Sequence, residues 1–211
     1  MFDIDGTLVN SYKFDEECYL KAAETVLAVK ISSNWEGYEH ATDAGILDEV
    51  IDKYKISGSK KQIHKDFKKV FIDLVSEYIG NNPQSVCEVE GAAHFIQYLY
   101  KQKNCRVAIA TGGWEETAKL KLETAGINIK GCAFASSSDH NSRVNIMKAA
   151  ELNASSSIPF KSKTYFGDAS WDREASELLN YRFILVGSRI EHKYQIENFK
   201  DLEAVSGLLN L

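Results

Sequence analysis

Met1-Phe2-Asp3-Ile4-Asp5-Gly6-Thr7-Leu8-Val9 sets two carboxylates one residue apart at the end of a short apolar stretch, with a glycine directly after. On an extended chain, alternate side chains share a face, so Asp3 and Asp5 point to one side. In an open α/β sheet, ligands gather beyond the C-terminal ends of the strands. Adjacent carboxylates repel unless a cation or a shared proton offsets them. Oxygen-only ligands suit Mg²⁺. A charged turn could carry the same residues, so the string takes its meaning from what lies further along the chain.

Downstream, Arg106-Val107-Ala108-Ile109-Ala110 is an apolar run of the kind buried on both faces of a parallel sheet. Gly91 to Lys103 before it and Glu115 to Thr124 after it have helical periodicity, and Gly126 is a natural helix stop. Further strands are expected near Cys132–Ala135, Lys163–Phe166 and Tyr181–Val186, with helices over Ser142–Leu152 and Leu202–Leu209. Ser155-Ser156-Ser157 signals a loop. This rhythm implies an α/β fold with a parallel sheet. Residues 11–86 break it, with three helical patterns (Phe14–Val29, Asp43–Tyr54, Lys60–Ile79) and no convincing strand. The expected organisation is a core of residues 1–10 and 87–211 with an inserted α-helical domain over 11–86.

Three more groups could carry chemistry. Thr111-Gly112-Gly113 lies between a buried strand and a helix start, where exposed N–H groups and the helix dipole favour anions. A plain N-capped turn explains it equally well in isolation. Gly167-Asp168 ends another strand, and Asp172 follows four residues on, so both carboxylates can face one mouth if a helix begins there. Helix-capping and first-turn roles are the bland alternatives. Arg143, at the start of a helix, is the best-placed cation to offset a nucleophile and a phosphate dianion, and Lys148 is the next candidate.

The bulk properties narrow the class. The 211 residues are 44% hydrophobic and 26% charged, enough for a packed core, and the net charge of −5 argues against a nucleic-acid binder. No apolar run approaches a membrane span, and no signal peptide is visible. Cys18, Cys87, Cys105 and Cys132 form no CxxC pair, so free, mostly buried thiols in a cytoplasmic protein are expected. The lysines of Lys60-Lys61 and Lys65–Lys69 read as a solvated helix face.

Taken in order, the four motifs resemble the haloacid dehalogenase superfamily over essentially the whole chain. The insertion point and the Glu90-Gly91 return are similar to its phosphoglycolate-phosphatase-like and β-phosphoglucomutase-like branch. That resemblance implies a Rossmann-like sheet of order 3-2-1-4-5, a helical cap and a Mg²⁺-dependent phosphatase acting on a small phosphorylated metabolite. It casts Asp3 as nucleophile and Asp5 as acid/base. It casts Thr111, Gly112 and Arg143 as phosphate ligands. Asp3, the Asp5 carbonyl and Asp168 would hold Mg²⁺, with Asp172 in support. The second aspartate speaks against dehalogenation, since a halide leaves without an acid. Lys13, Lys21 and Lys30 are available as the cap lysine that phosphonatases use, but nothing singles one out. A phosphomutase shares all four motifs, and a non-catalytic phospho-ligand binder is the alternative from another class. Arginine where this branch more often has lysine, without a following proline, is the departure from the pattern. Tyr38, His40 and Thr42 are expected to face the site from the cap. A monomer or weak dimer is expected. Only two residues precede Asp3, so either the natural chain starts upstream or the first strand is unusually short.

Overall fold

The computed structural model describes residues 1–155 and 159–209; Ser156 and Ser157 of the loop signal lie outside the described residues. Its centre is a parallel sheet. Strands β3 (Ala108–Ala110) and β4 (Ala133–Ala135) pair on one side. Strands β5 (Thr164–Gly167), β6 (Arg182–Val186) and β7 (Gln195–Ile196) pair on the other. Phe2 bridges the halves, making parallel bridges to both Ile109 and Phe166. The spatial order of the five expected strands is therefore 3-2-1-4-5, with β7 added at the edge.

The segment around Phe2 is bonded to the sheet on both sides. Phe2 N–H donates to Ala108 O at 2.9 Å, and Ala110 N–H donates to Phe2 O at 2.9 Å. Asp3 N–H donates to Phe166 O at 2.9 Å, and Phe166 N–H donates to Met1 O at 3.0 Å. Packing reinforces this short element. Phe2 stacks on Phe166 with ring centroids 4.7 Å apart, and Phe95 and Phe199 meet it edge-on. Full burial of one such side chain contributes ~1.5–3 kcal/mol, so the aromatic cluster supplies what few ladder bonds cannot.

Helices α4 (Ala92–Lys101), α5 (Glu115–Thr124), α6 (Arg143–Ala154), α7 (Ser170–Leu178) and α8 (Leu202–Leu209) connect or flank these strands. Between residues 11 and 86, the described elements are α1 (Tyr12–Leu27), α2 (Asp43–Lys53), α3 (Lys60–Asn81) and two 3-10 turns. Chain exit and return run side by side, because β1 (Val9–Asn10) pairs antiparallel with β2 (Cys87–Glu88). Phe67, Phe71 and Val75 of α3 are buried and Lys60, Lys61, Lys65 and Lys69 face solvent, whereas Lys68 departs from the expected solvated face, being half-buried and paired with Glu116 at 2.7 Å. No helix among the described residues is long and apolar enough to cross a membrane.

One expectation fails in detail. The thiols are free, but only Cys18 is buried; Cys87 is exposed and Cys105 and Cys132 are half-buried. Cys87 falls in the two-residue β2 beside the chain crossing, and Cys132 in the connection before β4, where it meets the Tyr100 hydroxyl of α4. The edge strand β7 went unseen because two residues, one exposed and one half-buried, carry no periodic signal.

Candidate active site

The C-terminal ends of the central strands deliver the acidic groups to one place. Asp3 follows the Phe2 bridge and Asp168 follows β5, while Asp172 stands in the first turn of α7. One carboxylate oxygen from each of the three lies within 4.8 Å of the others, and all three residues are buried. Two glycines permit this. Gly6 has φ +78°, and a Cβ there would fall 2.3 Å from Asp168 Oδ2. At Gly167 a Cβ would lie 2.6 Å from the Asp172 side chain. Asp172 is fixed by the N–H groups of Asp168 and Ala169, both 3.2 Å from its Oδ2.

Crowding perturbs these acids. Burial, with repulsion from Asp172 and Asp5, pushes the Asp3 carboxyl up to about 7 against the pull of Arg143. Burial and the charge of Asp3 take Asp168 to about 7. Burial takes Asp172 to about 6, opposed by Arg143. The cluster is thus short of positive charge.

Arg143 supplies part of it. Its Nη1 lies 2.8 Å from Asp172 Oδ1 and 3.2 Å from Asp3 Oδ1. It also donates to Tyr165 Oη at 3.2 Å and, through Nη2, to Ala41 O at 3.3 Å. The carboxylate contacts are electrostatic rather than aligned hydrogen bonds, for neither Asp3 Oδ1 nor Asp172 Oδ1 receives a hydrogen bond. Lys148 is exposed, so of the two candidates from this helix it is Arg143 that meets the acids. Arg189, which sequence reasoning missed, reaches Asp168 Oδ2 at 3.2 Å while lying over the Tyr12 ring.

Thr111 and Gly112 follow β3 on the other wall. Thr111 is buried, and its Oγ1 accepts the Gly113 N–H at 3.2 Å. A Cβ on Gly112 would lie 2.4 Å from Arg143 Nη2 and 3.0 Å from Ala41 O, so any side chain there would have to displace the guanidinium. Asp5 takes a different direction from the cluster. Its Oδ1 accepts from Lys121 Nζ at 2.6 Å and from Ser11 Oγ.

The helical segment closes the site. Asp43 N–H donates to Gly112 O at 2.8 Å, and Trp114 N–H donates to Asp43 Oδ2 at 2.8 Å. Ala44 N–H donates to Ser137 Oγ at 2.8 Å. Thr42 caps α2 through the Gly45 N–H at 3.1 Å and also donates to Asn141 O. A small cavity, about 90 Å³, remains between Asp3, Asp5, Thr111, Arg143 and the start of α2. Thr42 lines it. Tyr38 and His40 do not, contrary to expectation. The Tyr38 hydroxyl donates to Ser32 O instead, and the His40 side chain packs against Gly45. Lys13, Lys21 and Lys30 are exposed and away from the cavity. Lys121, a buried lysine that sequence reasoning passed over, does not line the cavity but bonds Asp5 and Asp15, which do.

A hydrolase from Pseudomonas syringae superposes with TM-score 0.74 at 18% identity, covering 99% of this chain and 97% of that one. CbbY from Rhodobacter sphaeroides, in complex with phosphate, gives 0.70 at 15%, covering 95% and 94%. The candidate HAD-hydrolase YfnB from Bacillus subtilis, bound to magnesium, gives 0.56 at 15%, covering 100% and 97%. Candidate phosphoglycolate phosphatases and a candidate β-phosphoglucomutase are among the other matches. No curated protein matches in sequence. At these identities the superpositions establish the fold alone. The sequence itself matches the family of haloacid dehalogenase-like hydrolases over residues 1–186, and with its aspartates, threonine and arginine assembled at the strand ends the chain belongs to that family.

Proposed function

We propose that this hydrolase is a Mg²⁺-dependent phosphatase of a small phosphorylated metabolite, working through an aspartyl-phosphate on Asp3. One observation carries the reading: three buried carboxylates converge within 4.8 Å, and two of their oxygens receive no hydrogen bond and face only the Arg143 guanidinium. An oxygen-only, charge-deficient donor set of this kind fits a hard divalent cation. Asp3 and Asp168 would hold Mg²⁺ with the Asp5 carbonyl, and Asp172 would support them. Asp172 now stands as close to the cluster as the others. When bound, Mg²⁺ supplies electrostatic stabilisation of the phosphoryl oxygens.

The chain's own groups account for the remaining chemistry. An Asp3 carboxylate oxygen attacks phosphorus as the bond to the leaving oxygen breaks, and Asp5 donates a proton to that oxygen. Asp5 then takes a proton from water, whose oxygen displaces Asp3 and releases inorganic phosphate. Thr111, the Gly112 N–H and Arg143 hold the phosphoryl oxygens, and preorganised donors of this type act mainly on developing charge. Residues 11–86 act as the cap, with the start of α2 covering the reacting group and excluding water. The test is hydrolysis of p-nitrophenyl phosphate and acetyl phosphate with and without Mg²⁺, beside Asp3→Asn. Metal-dependent turnover lost in Asp3→Asn supports the reading. Silence on both compounds and on a panel of phosphorylated metabolites would favour a phospho-ligand binder. Isomerisation of a sugar phosphate with little phosphate release would favour a mutase.

A further inference from the structure

Helix α5 carries a charge on its inward face. Its buried residues are Thr117, Ala118, Lys121 and Leu122, so Lys121 occupies a stripe that is normally apolar. The side chain has no solvent exposure. Burial alone would lower its pKa, but the Asp15 and Asp5 carboxylates outweigh burial and raise it, so the ammonium stays charged. Nζ donates to Asp5 Oδ1 at 2.6 Å and to Asp15 Oδ1 at 2.8 Å.

This grip has a direction. Ser11 Oγ donates to the same Asp5 Oδ1 that Lys121 holds. With Oδ1 anchored from two sides, Oδ2 is the oxygen turned toward Gly113 of the phosphate loop, 3.7 Å from where a Cβ would stand. Two of the groups involved belong to the start of α1. Ser11 is the N-cap residue, yet its side chain makes no capping bond. Asp15 lies in the first turn of α1 and accepts from the same Lys121 Nζ as Asp5 does. A buried ion cluster is a poor way to gain stability, since apolar replacements of similar volume are often neutral or better. Its position beside a reacting carboxylate gives it a purpose that stability does not.

We propose that Lys121 is a positioning residue for proton transfer, anchoring Asp5 Oδ1 so that Oδ2 faces the phosphoryl group, while Asp15 ties that anchor to α1. The proposal rests on Asp5 being the acid/base of the phosphatase reading. Docking of the helical segment and alignment of the proton-transferring oxygen are then set by one triad centred on a buried lysine.

Acetyl phosphate separates the two half-reactions. In the first, an Asp3 oxygen bonds to phosphorus and acetate leaves as the anion, so no proton is needed. In the second, Asp5 takes a proton from water as the water oxygen bonds to phosphorus and the bond to Asp3 breaks. Rapid-quench kinetics with Mg²⁺ should follow phosphoenzyme formation and decay in the wild type, Lys121→Met and Asp15→Asn. The expected result in Lys121→Met is formation at the wild-type rate and decay slowed about 10- to 100-fold, so that phosphoenzyme accumulates. Asp15→Asn keeps the Lys121–Asp5 contact and should slow decay selectively but less. It carries the test if Lys121→Met does not fold by circular dichroism. Equal slowing of formation and decay in the folded variants, or unchanged decay, would overturn the proposal. Absence of phosphoenzyme in the wild type would instead overturn the phosphatase reading beneath it.

Discussion

Replacing Asp3 with asparagine should abolish turnover and at the same time stabilise the metal-free protein. Burial takes the Asp3 carboxyl from 3.8 to about 7. A folded-state pKa above the unfolded value means the folded protein binds the proton more tightly. The associated stability is therefore complete below about pH 4 and is lost as pH rises through about 7. At ~1.4 kcal/mol per unit, the ionised carboxylate costs up to about 4 kcal/mol at pH 8. Asp168 and Asp172 share the same repulsion, so removing one charge should recover about 2–4 kcal/mol. For a chain of this size each kcal/mol moves Tm by about 2–4 °C, giving a rise of at least about 4 °C for Asp3→Asn at pH 8 in chelator. At pH 5, about one unit above the unfolded value, the penalty falls to about 1.6 kcal/mol, so the gain should shrink to less than half of its pH 8 value. Saturating Mg²⁺ should raise the wild-type Tm at pH 8 and the Asp3→Asn Tm much less, since binding at ~100 Kd contributes about 2.7 kcal/mol. Scanning calorimetry at both pH values, with and without Mg²⁺, measures all four quantities. An Asp3→Asn protein no more stable than wild type at pH 8, or equally stabilised at pH 5, would refute the charge-crowding argument.

Gly112→Ala should cut kcat/KM at least ~10-fold with little loss of fold, because the new Cβ lands 2.4 Å from Arg143 Nη2 and must displace the guanidinium. Steady-state kinetics beside circular dichroism checks this, and wild-type kinetics would contradict it. Thr42→Ala should raise KM for a monoester substrate and destabilise the protein by ~1 kcal/mol through the lost cap of α2. His40→Ala should leave KM unchanged, since its side chain lies outside the cavity lining. A KM change in His40→Ala, or none in Thr42→Ala, would reverse that assignment.

Much of the site could be read from local pattern, and the remainder could not. Asp3, Thr111 and Asp168 each end or follow a strand, and a parallel sheet brings strand ends together whatever the packing details. Arg143 and Asp172 open helices behind those strands, so they converge for the same reason. The sheet order follows from the alternation of strands and helices together with the resemblance. Lys121 was hidden because its partners are distant in sequence: Asp5 is 116 residues away and Asp15 is 106. Its one local signal was a lysine on the inward stripe of α5, visible once Thr117, Ala118 and Leu122 are taken as the buried face. Arg189 gave no local signal, since it lies in the connection after β6, and Asp43 read only as the start of a helix. Tyr38 and His40 were misplaced because a run of polar and aromatic residues before α2 does not say which side chains turn inward. In the structure that turn is set by the 3-10 helix Trp35–Gly37 and by the hydrogen bond from Tyr38 to Ser32.

The central claim is that Asp3 becomes phosphorylated. The most direct measurement is acid-quench mass spectrometry of the Mg²⁺-loaded protein mixed with acetyl phosphate, with peptide mapping of the N-terminal segment. A phosphoryl adduct on Asp3, labile at alkaline pH and absent from Asp3→Asn, is the expected result. Phosphate release with no adduct on Asp3, or an adduct that persists in Asp3→Asn, would contradict it.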